Sequence, residues 1–178
     1  MTKKVFLIVL VTVSISFFAQ GKASNNKDMT LLESVCKRTY DYKLCISSLK
    51  SNPRSYNADI KGLARIMMGV TRSKVDEILR VMLQLGRNAT DPRVPECLDN
   101  VCYPVYDEST DYIQHAVEHL QSNSLKEAIT DMNYANGDEQ ECEKCFAKLE
   151  IKSPMTSINT QFATLCKVTE DIIRVLLK

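Results

Sequence analysis

Apolar residues recur at helical spacing along most of the chain, and no stretch alternates with the period of a β-strand. The clearest stripe follows Ser153-Pro154, with steps of three or four residues between Ile158, Phe162, Leu165, Thr169, Ile172 and Leu176. Such spacing predicts an amphipathic helix that buries one face. Because serine caps helices and proline suits the first helical position, this helix is predicted to begin at Ser153-Pro154.

Three further helices are predicted before it, at about 57–86, 95–120 and 125–149. The first has the same spacing, except for a step of five residues between Val70 and Val75. Short connections make consecutive helices antiparallel neighbours. We therefore predict an all-α fold, an up-down-up-down four-helix bundle over residues 57–178. A small helical hairpin over residues 29–53 precedes the bundle, and residues 29–178 form one domain.

Two positions conflict with continuous helices. Pro104 lies inside the second predicted bundle helix, where a proline removes a backbone donor and costs about 3 kcal/mol. Asn136-Gly137 is a turn dipeptide inside the third. We expect a bend or an interruption at both positions.

The first residues predict export from the cell. A 14-residue apolar run, Val5 to Phe18, follows MTKK and precedes small residues. This is the pattern of a secretory signal peptide over residues 1–21, with cleavage after Ala23 as an alternative. The run is too short for a membrane span. We therefore expect a secreted, extracellular protein that is not held in a membrane.

Charge and glycosylation signals fit that location. Cleavage after Gly21 removes Lys3 and Lys4 from 23 basic residues, which leaves 21 against 22 acidic residues. This balance does not favour binding to nucleic acid or to an anionic membrane. Asn88-Ala89-Thr90 is an N-glycosylation acceptor, which predicts a glycan on Asn88.

Seven cysteines in an oxidising compartment predict disulfides. Cys36 and Cys45 flank a short turn and are placed to close the hairpin. Cys102 and Cys142 lie at equal distances from the same end of two antiparallel helices, so their sulfurs reach one level.

Cys97 and Cys145 also lie at matching heights on these two helices, which suggests a second bond. It needs a departure from ideal helix near Pro95, because five residues of α-helix rotate Cys97 about 140° away from Cys102. Cys166 has no partner at its level and is predicted to be a buried, inert thiol outside any disulfide.

The spacing C-x-x-C at Cys142 and Cys145 has two other interpretations. A thioredoxin-type redox site needs a βαβ context, which the helical pattern does not supply. Four thiolates from Cys97, Cys102, Cys142 and Cys145 are a zinc-ligand set, but such sites are typical of reducing compartments. A disulfide framework is favoured over both.

The segment HAVEH has the spacing of a helical zinc-hydrolase motif. His115 and His119 are four residues apart, with Glu118 beside them. A metalloprotease also needs a third ligand and a cleft, and the pattern arises by chance on amphipathic helices. We interpret the segment as a solvated polar face and predict no metal, no cofactor and no catalytic residue.

The combination of a signal peptide, a cysteine-closed hairpin, a four-helix bundle and a cysteine pair between bundle helices resembles the plant invertase and pectin methylesterase inhibitor family. The resemblance is closest to its pollen-allergen-like branch of invertase inhibitors. The matching stretches are SVCKRTYDYKLCISSLKSNPRS, NADIKGLA, Cys102 with Tyr106, Cys142 with Phe146, and SPMTSIN. The resemblance implies disulfides Cys36–Cys45 and Cys102–Cys142; Cys97, Cys145 and Cys166 are additions to the family pattern.

The resemblance also implies a function. Family members are not enzymes, and they dock on a secreted carbohydrate-acting enzyme of the cell wall or apoplast and cover its active-site cleft. The expected partner is pectin methylesterase or acid invertase, in a one-to-one complex. Some invertase-blocking members have a Pro-Lys-Phe stretch, which this chain lacks. A secreted helical binding or allergen-like module without inhibitory activity is the alternative.

Overall fold

The structure is a computed structural model that describes residues 26–177, without the side chains of residues 26–29 and 138–139. The predicted signal peptide, residues 1–21, lies outside the described residues. Between residues 26 and 177 every regular element is a helix. These are α1 (Asn26–Cys36), α2 (Tyr42–Lys50), a 3-10 helix (Pro53–Asn57), α3 (Ile60–Asn88), α4 (Arg93–Cys97), a π-helix (Leu98–Cys102), α5 (Tyr103–Gln121), α6 (Leu125–Lys148) and α7 (Thr156–Val175).

Four long helices, α3, α5, α6 and α7, form the bundle. The start of α3 meets the end of α5, since Lys61 Nζ is 3.1 Å from the Gln121 carbonyl oxygen. The start of α5 meets the end of α6 through the Cys102–Cys142 bond. The end of α6 meets the start of α7, and α7 packs antiparallel on α3. The predicted all-α bundle, with a helical hairpin before it, is confirmed.

The predicted stripe of α7 lines the core. Phe162, Leu165, Thr169 and Ile172 are buried, while Ile158 and Leu176 are half-buried at its edges. The step of five residues in α3 also has a structural explanation. Thr71 is fully buried between Val70 and Val75, so a polar residue occupies the inward position at this level.

The Thr71 hydroxyl lies 2.9 Å from that of Thr169 on α7. Each hydroxyl also lies within 3.0 Å of the backbone carbonyl oxygen four residues earlier, Met67 or Leu165. Two hydroxyl protons cannot serve three contacts at once. One threonine therefore donates to its own helix and the other donates across the bundle.

This pair predicts a non-additive effect on stability. Thr71→Val or Thr169→Val alone should lower the free energy of unfolding by about 1 kcal/mol, because each removes a buried hydrogen bond. Changing both to valine should cost less than the two single costs together, since the contact between the two hydroxyls contributes to each single cost but is lost only once. Urea unfolding of the three variants measures this. Additive costs would show that the two hydroxyls do not interact.

Two predicted details of the bundle were wrong. Helix α7 begins at Thr156 rather than at Pro154. Ser153 Oγ still accepts a hydrogen bond from the Met155 N–H, but the Met155 side chain is fully buried, so the chain enters the core before the helix starts. Of the bend or interruption expected at Asn136-Gly137, the interruption is absent, since α6 continues through both residues. Gly137 has helical rather than positive φ, and the buried Ala135 and Cys142 on either side hold α6 in place.

The irregularity expected at Pro104 lies just before it. The π-helix ends at Cys102, and Pro104 occupies the first turn of α5. The helical backbone is continuous from α4 through the π-helix into α5, and proline is tolerated at this point because the π-helix already interrupts the regular i→i−4 hydrogen bonds.

Candidate functional site

The hairpin is held closed at its turn. A disulfide joins Cys36 at the end of α1 to Cys45 in α2, with their Cα atoms 5.5 Å apart. Both cysteines are fully buried. The turn is also fixed to the bundle, because the Tyr40 backbone N–H donates to the Asp171 carboxylate on α7 at 2.8 Å. The hairpin is therefore a fixed part of the molecule.

Two more disulfides join the α4–α5 segment to α6. Cys102 is bonded to Cys142 and Cys97 to Cys145, with Cα–Cα distances of 4.6 and 5.8 Å. The π-helix between Cys97 and Cys102 explains how both bonds form. Its i→i+5 hydrogen bond, from the Tyr103 N–H to the Leu98 carbonyl, widens the turn, so residues five apart return to nearly the same side. This π-helical turn is the departure from ideal helix that the Cys97–Cys145 bond requires.

Cys166 lies on α7, away from this group. It is buried and belongs to none of the three disulfides. The C-x-x-C residues are thus two halves of separate disulfides in the structure, rather than a redox pair.

A polar network next to these disulfides joins α5, α6 and α7. Glu143, between Cys142 and Cys145 on α6, accepts hydrogen bonds from Asn159 Nδ2 at 2.5 Å, Ser153 Oγ at 2.9 Å and Thr156 Oγ1 at 3.0 Å. Asn159 in turn accepts from the buried Tyr106 hydroxyl at 2.7 Å. One carboxylate thus fixes the connection from α6 to α7.

The sequence did not reveal the role of Glu143 or Asn159. Asn159 follows the apolar Ile158 and lies 2% exposed, although asparagine is rarely found in a core. The available signal was its position three residues before Phe162, on the buried side of α7. Its partner Glu143 is only recognisable once α6 and α7 are brought together.

The surface beside this network is open and polar. Adjacent α6 and α7 side chains line one shallow groove: Gln140, Glu143, Lys144, Thr156, Asn159, Thr160 and Ala163. A second groove follows along the start of α7, with Lys152, Ser153, Pro154, Ser157 and Gln161 among its lining residues. Short hydroxyl side chains on a rigid support suit contact with a large partner. They do not enclose a small substrate.

The HAVEH segment lies on α5 and does not converge with other ligands. His115 is exposed. His119 Nδ1 lies 2.7 Å from Asp131 Oδ2 on α6, and Glu118 accepts a hydrogen bond from Gln114. Within the described part of the chain, no group of three or more His, Cys, Asp or Glu side chains is arranged to hold a metal ion.

Two exposed carboxyl groups near the disulfides have a lowered pKa. The side-chain hydrogen bond from Arg93 lowers the pKa of Asp91, and the one from Lys144 lowers the pKa of Glu141. Lowered pKa values favour the charged forms, so these contacts persist at mildly acid pH and are lost only as each carboxyl is protonated. Arg93 also donates to the Leu149 carbonyl at 3.1 Å, which links α4 to the end of α6.

The chain matches known proteins over most of its length. The family described as "Plant invertase/pectin methylesterase inhibitor" matches residues 30–172. A relative named "Cell wall / vacuolar inhibitor of fructosidase 2", from Arabidopsis thaliana, is 28% identical over 169 residues, which are 94% of this chain and 93% of the relative. The "Pectinesterase inhibitor" of Actinidia deliciosa is 28% identical over 122 residues, covering 67% of this chain and 63% of that protein.

A solved structure supports the fold. The crystal structure of a mutant form of a pectin methylesterase inhibitor from Arabidopsis superposes with a TM-score of 0.65 at 18% sequence identity. The match covers 80% of this chain and 95% of that one. At this identity the likeness concerns the helical architecture alone.

Proposed function

Because the chain belongs to the plant invertase/pectin methylesterase inhibitor family, we propose that it is a secreted protein inhibitor of a cell-wall carbohydrate-acting enzyme. It binds the enzyme one-to-one, covers its active-site cleft and catalyses no reaction itself. The observation that carries this proposal is the family match over residues 30–172, which spans the hairpin and all four bundle helices. Relatives named as inhibitors of both enzyme types support it.

The shape of the molecule supports docking on a surface. Two disulfides and the Glu143 network fix α5, α6 and α7 at one end of the bundle. A rigid inhibitor loses little conformational entropy when it binds, so more of the contact energy appears as affinity. The open α6–α7 grooves offer polar contacts on this fixed support.

The target is pectin methylesterase or acid invertase. A relative that covers 94% of this chain is named as an inhibitor of fructosidase, while the solved structure is named as an inhibitor of pectin methylesterase. The chain has no Pro-Lys-Phe stretch, which favours pectin methylesterase. Residual activity of each enzyme, measured with the oxidised mature protein at mildly acid pH, decides between them. Full activity of both enzymes at a tenfold excess of the protein would refute inhibition.

The alternative, a binding module without inhibitory activity, has lost its structural motivation. It depended on Pro104 and Asn136-Gly137 disturbing the helices that could form a docking face. Pro104 instead fits the first turn of α5, and α6 is continuous through Asn136-Gly137. A screen that detects a partner without any loss of enzyme activity would restore the alternative.

The proposed location is the apoplast or cell wall. Between residues 26 and 177, none of the helices combines the length and apolar character required to cross a bilayer. The predicted signal peptide supports secretion, and the relative named as a cell wall / vacuolar inhibitor supports entry into the secretory pathway. Sequencing the amino terminus of the secreted product should give residue 22 or residue 24 as the first residue.

A glycan on Asn88 is part of the same proposal. Asn88 is exposed at the end of α3, and the following Ala89 is extended, so the acceptor triplet is accessible. Asn88→Gln should abolish a mass increment in protein secreted from plant cells and leave inhibition unchanged. Wild-type and Asn88→Gln masses that differ only by the added methylene group would show that the site is unoccupied.

A further inference from the structure

The hairpin turn and the adjacent end of α7 form a basic, aromatic surface at the opposite end of α7 from the grooves described above. We call residues 37–43 the hairpin tip. Lys37, Arg38 and Lys43 are exposed there, and so are two tyrosine rings, Tyr40 at 74% and Tyr42 at 40%. Within the tip the only carboxylate is that of Asp41.

That carboxylate and its neighbour on α7 already have partners. Asp41 caps α2 by accepting from the Leu44 N–H at 2.9 Å, and Asp171 accepts from the Tyr40 N–H. Among the described residues, no ion pair is formed by Lys37, Arg38 or Lys43. Their charges are therefore available to an external anion.

A cleft opens between the tip and α7. Its volume is about 500 Å³, and it is lined by Arg38, Asp171, Arg174, Val175 and Leu177. Volumes of this size are typical of small-molecule sites. The Arg38 guanidinium group, which forms no ion pair within residues 26–177, can bind a carboxylate in a bidentate manner, while Val175 and Leu177 supply an apolar wall. Arg174 is held in place by the buried Glu170.

The tip keeps this arrangement without a ligand. The Cys36–Cys45 bond fixes its base, and the Tyr40 N–H to Asp171 contact fixes its position on α7. Exposed tyrosine rings offer flat apolar faces with a polar edge, which suit stacking on the C–H face of a sugar ring. Pre-positioned cations and rings reduce the entropy lost on binding.

We propose that the hairpin tip and this cleft bind an anionic polysaccharide, a polyuronate whose carboxylates meet Arg38 and Lys43 and whose rings stack on Tyr40 and Tyr42. An anionic lipid surface would also meet the exposed Leu177 beside the tip, and the vesicle experiment below distinguishes it from a polyuronate. The ligand class relies on the proposed cell-wall location, where it would hold the inhibitor near its enzyme. The binding itself needs no enzyme.

Binding of the oxidised mature protein to polygalacturonate, measured by calorimetry without any enzyme, tests the proposal. Arg38→Gln/Lys43→Gln should weaken binding by at least about tenfold, as expected for lost charge-assisted hydrogen bonds. Tyr40→Ala/Tyr42→Ala should weaken it by a few-fold, about 1 kcal/mol of stacking. The matched control Arg65→Gln/Arg80→Gln, two exposed cations on α3, should bind like the wild type. An unchanged thermal midpoint shows that each variant is folded.

Other probes separate a uronate site from general charge attraction. Fully methyl-esterified polygalacturonate lacks the carboxylates and should not bind measurably. Dextran sulfate should bind more weakly and without sensitivity to the tyrosine variant. Equal binding of the esterified polymer, equal losses in the α3 control, or tighter binding to anionic lipid vesicles would overturn the proposal. Polygalacturonate binding without inhibition of either enzyme would support this site and refute only the inhibitor function.

Discussion

Removal of both disulfides between the α4–α5 segment and α6 is expected to lower the free energy of unfolding by about 7 kcal/mol. On the chain-entropy model, the Cys102–Cys142 bond alone closes a loop with a sequence separation of 40 residues and contributes about 4 kcal/mol. With it in place, the Cys97–Cys145 bond closes a further ring of about ten residues, worth about 3 kcal/mol. A domain with 5–15 kcal/mol of total stability would then be close to unfolding.

Single removal of either bond should cost only about 3 kcal/mol, since the other bond still closes the long loop. Guanidinium unfolding of Cys97→Ala/Cys145→Ala, Cys102→Ala/Cys142→Ala and the fourfold variant measures the three values. Cys166→Ala is the control, because it changes a buried cysteine outside the disulfides and should cost about 1 kcal/mol. If the fourfold variant lost no more free energy of unfolding than a variant without one cysteine pair, the two bonds would act as a single constraint.

Replacement of Phe162 by alanine is expected to cost about 3–5 kcal/mol. Phe162 is fully buried, and its ring meets Tyr106 edge-to-face with centroids 5.3 Å apart and an interplanar angle of 68°. The substitution removes this aromatic contact and leaves a cavity beside the Tyr106–Asn159 hydrogen bond. The loss should appear as a shift of the urea midpoint with an unchanged slope.

Ser157→Ala, on the exposed side of α7, is the matched control and should change stability by less than about 0.5 kcal/mol. A loss in Phe162→Ala as small as that of the control would contradict the packing described for this end of the bundle. Phe162→Leu, which keeps most of the buried volume, should recover part of the lost stability.

The helices and their order were predictable because apolar spacing records which face of each helix is buried. The stripe from Ile158 to Leu176 identified α7, and the step at Val75 marked the level where Thr71 replaces an apolar residue. The start of α7 was not predictable from Ser153-Pro154. The buried Met155 fixes it, and this burial depends on packing between distant segments.

The turn dipeptide Asn136-Gly137 was misleading for a related reason. Local propensity favours a turn there, but tertiary packing of α6 against α5 and α7 overrides a cost of about 1 kcal/mol for an interior glycine. The second disulfide was recognisable because Cys97 and Cys145 lie at matching heights on their helices. The sequence did not show that both face the right side, since the π-helix from Leu98 to Cys102 leaves no clear signal in it. Polar networks such as that of Glu143 require the helices to be assembled first.

The measurement that tests the central claim most directly is the kinetic pattern of inhibition. An inhibitor that covers the active-site cleft competes with substrate. Increasing amounts of the oxidised protein should therefore raise the apparent KM of pectin methylesterase or acid invertase and leave kcat unchanged. Unchanged kinetics with both enzymes, or a fall in kcat at constant KM, would contradict it.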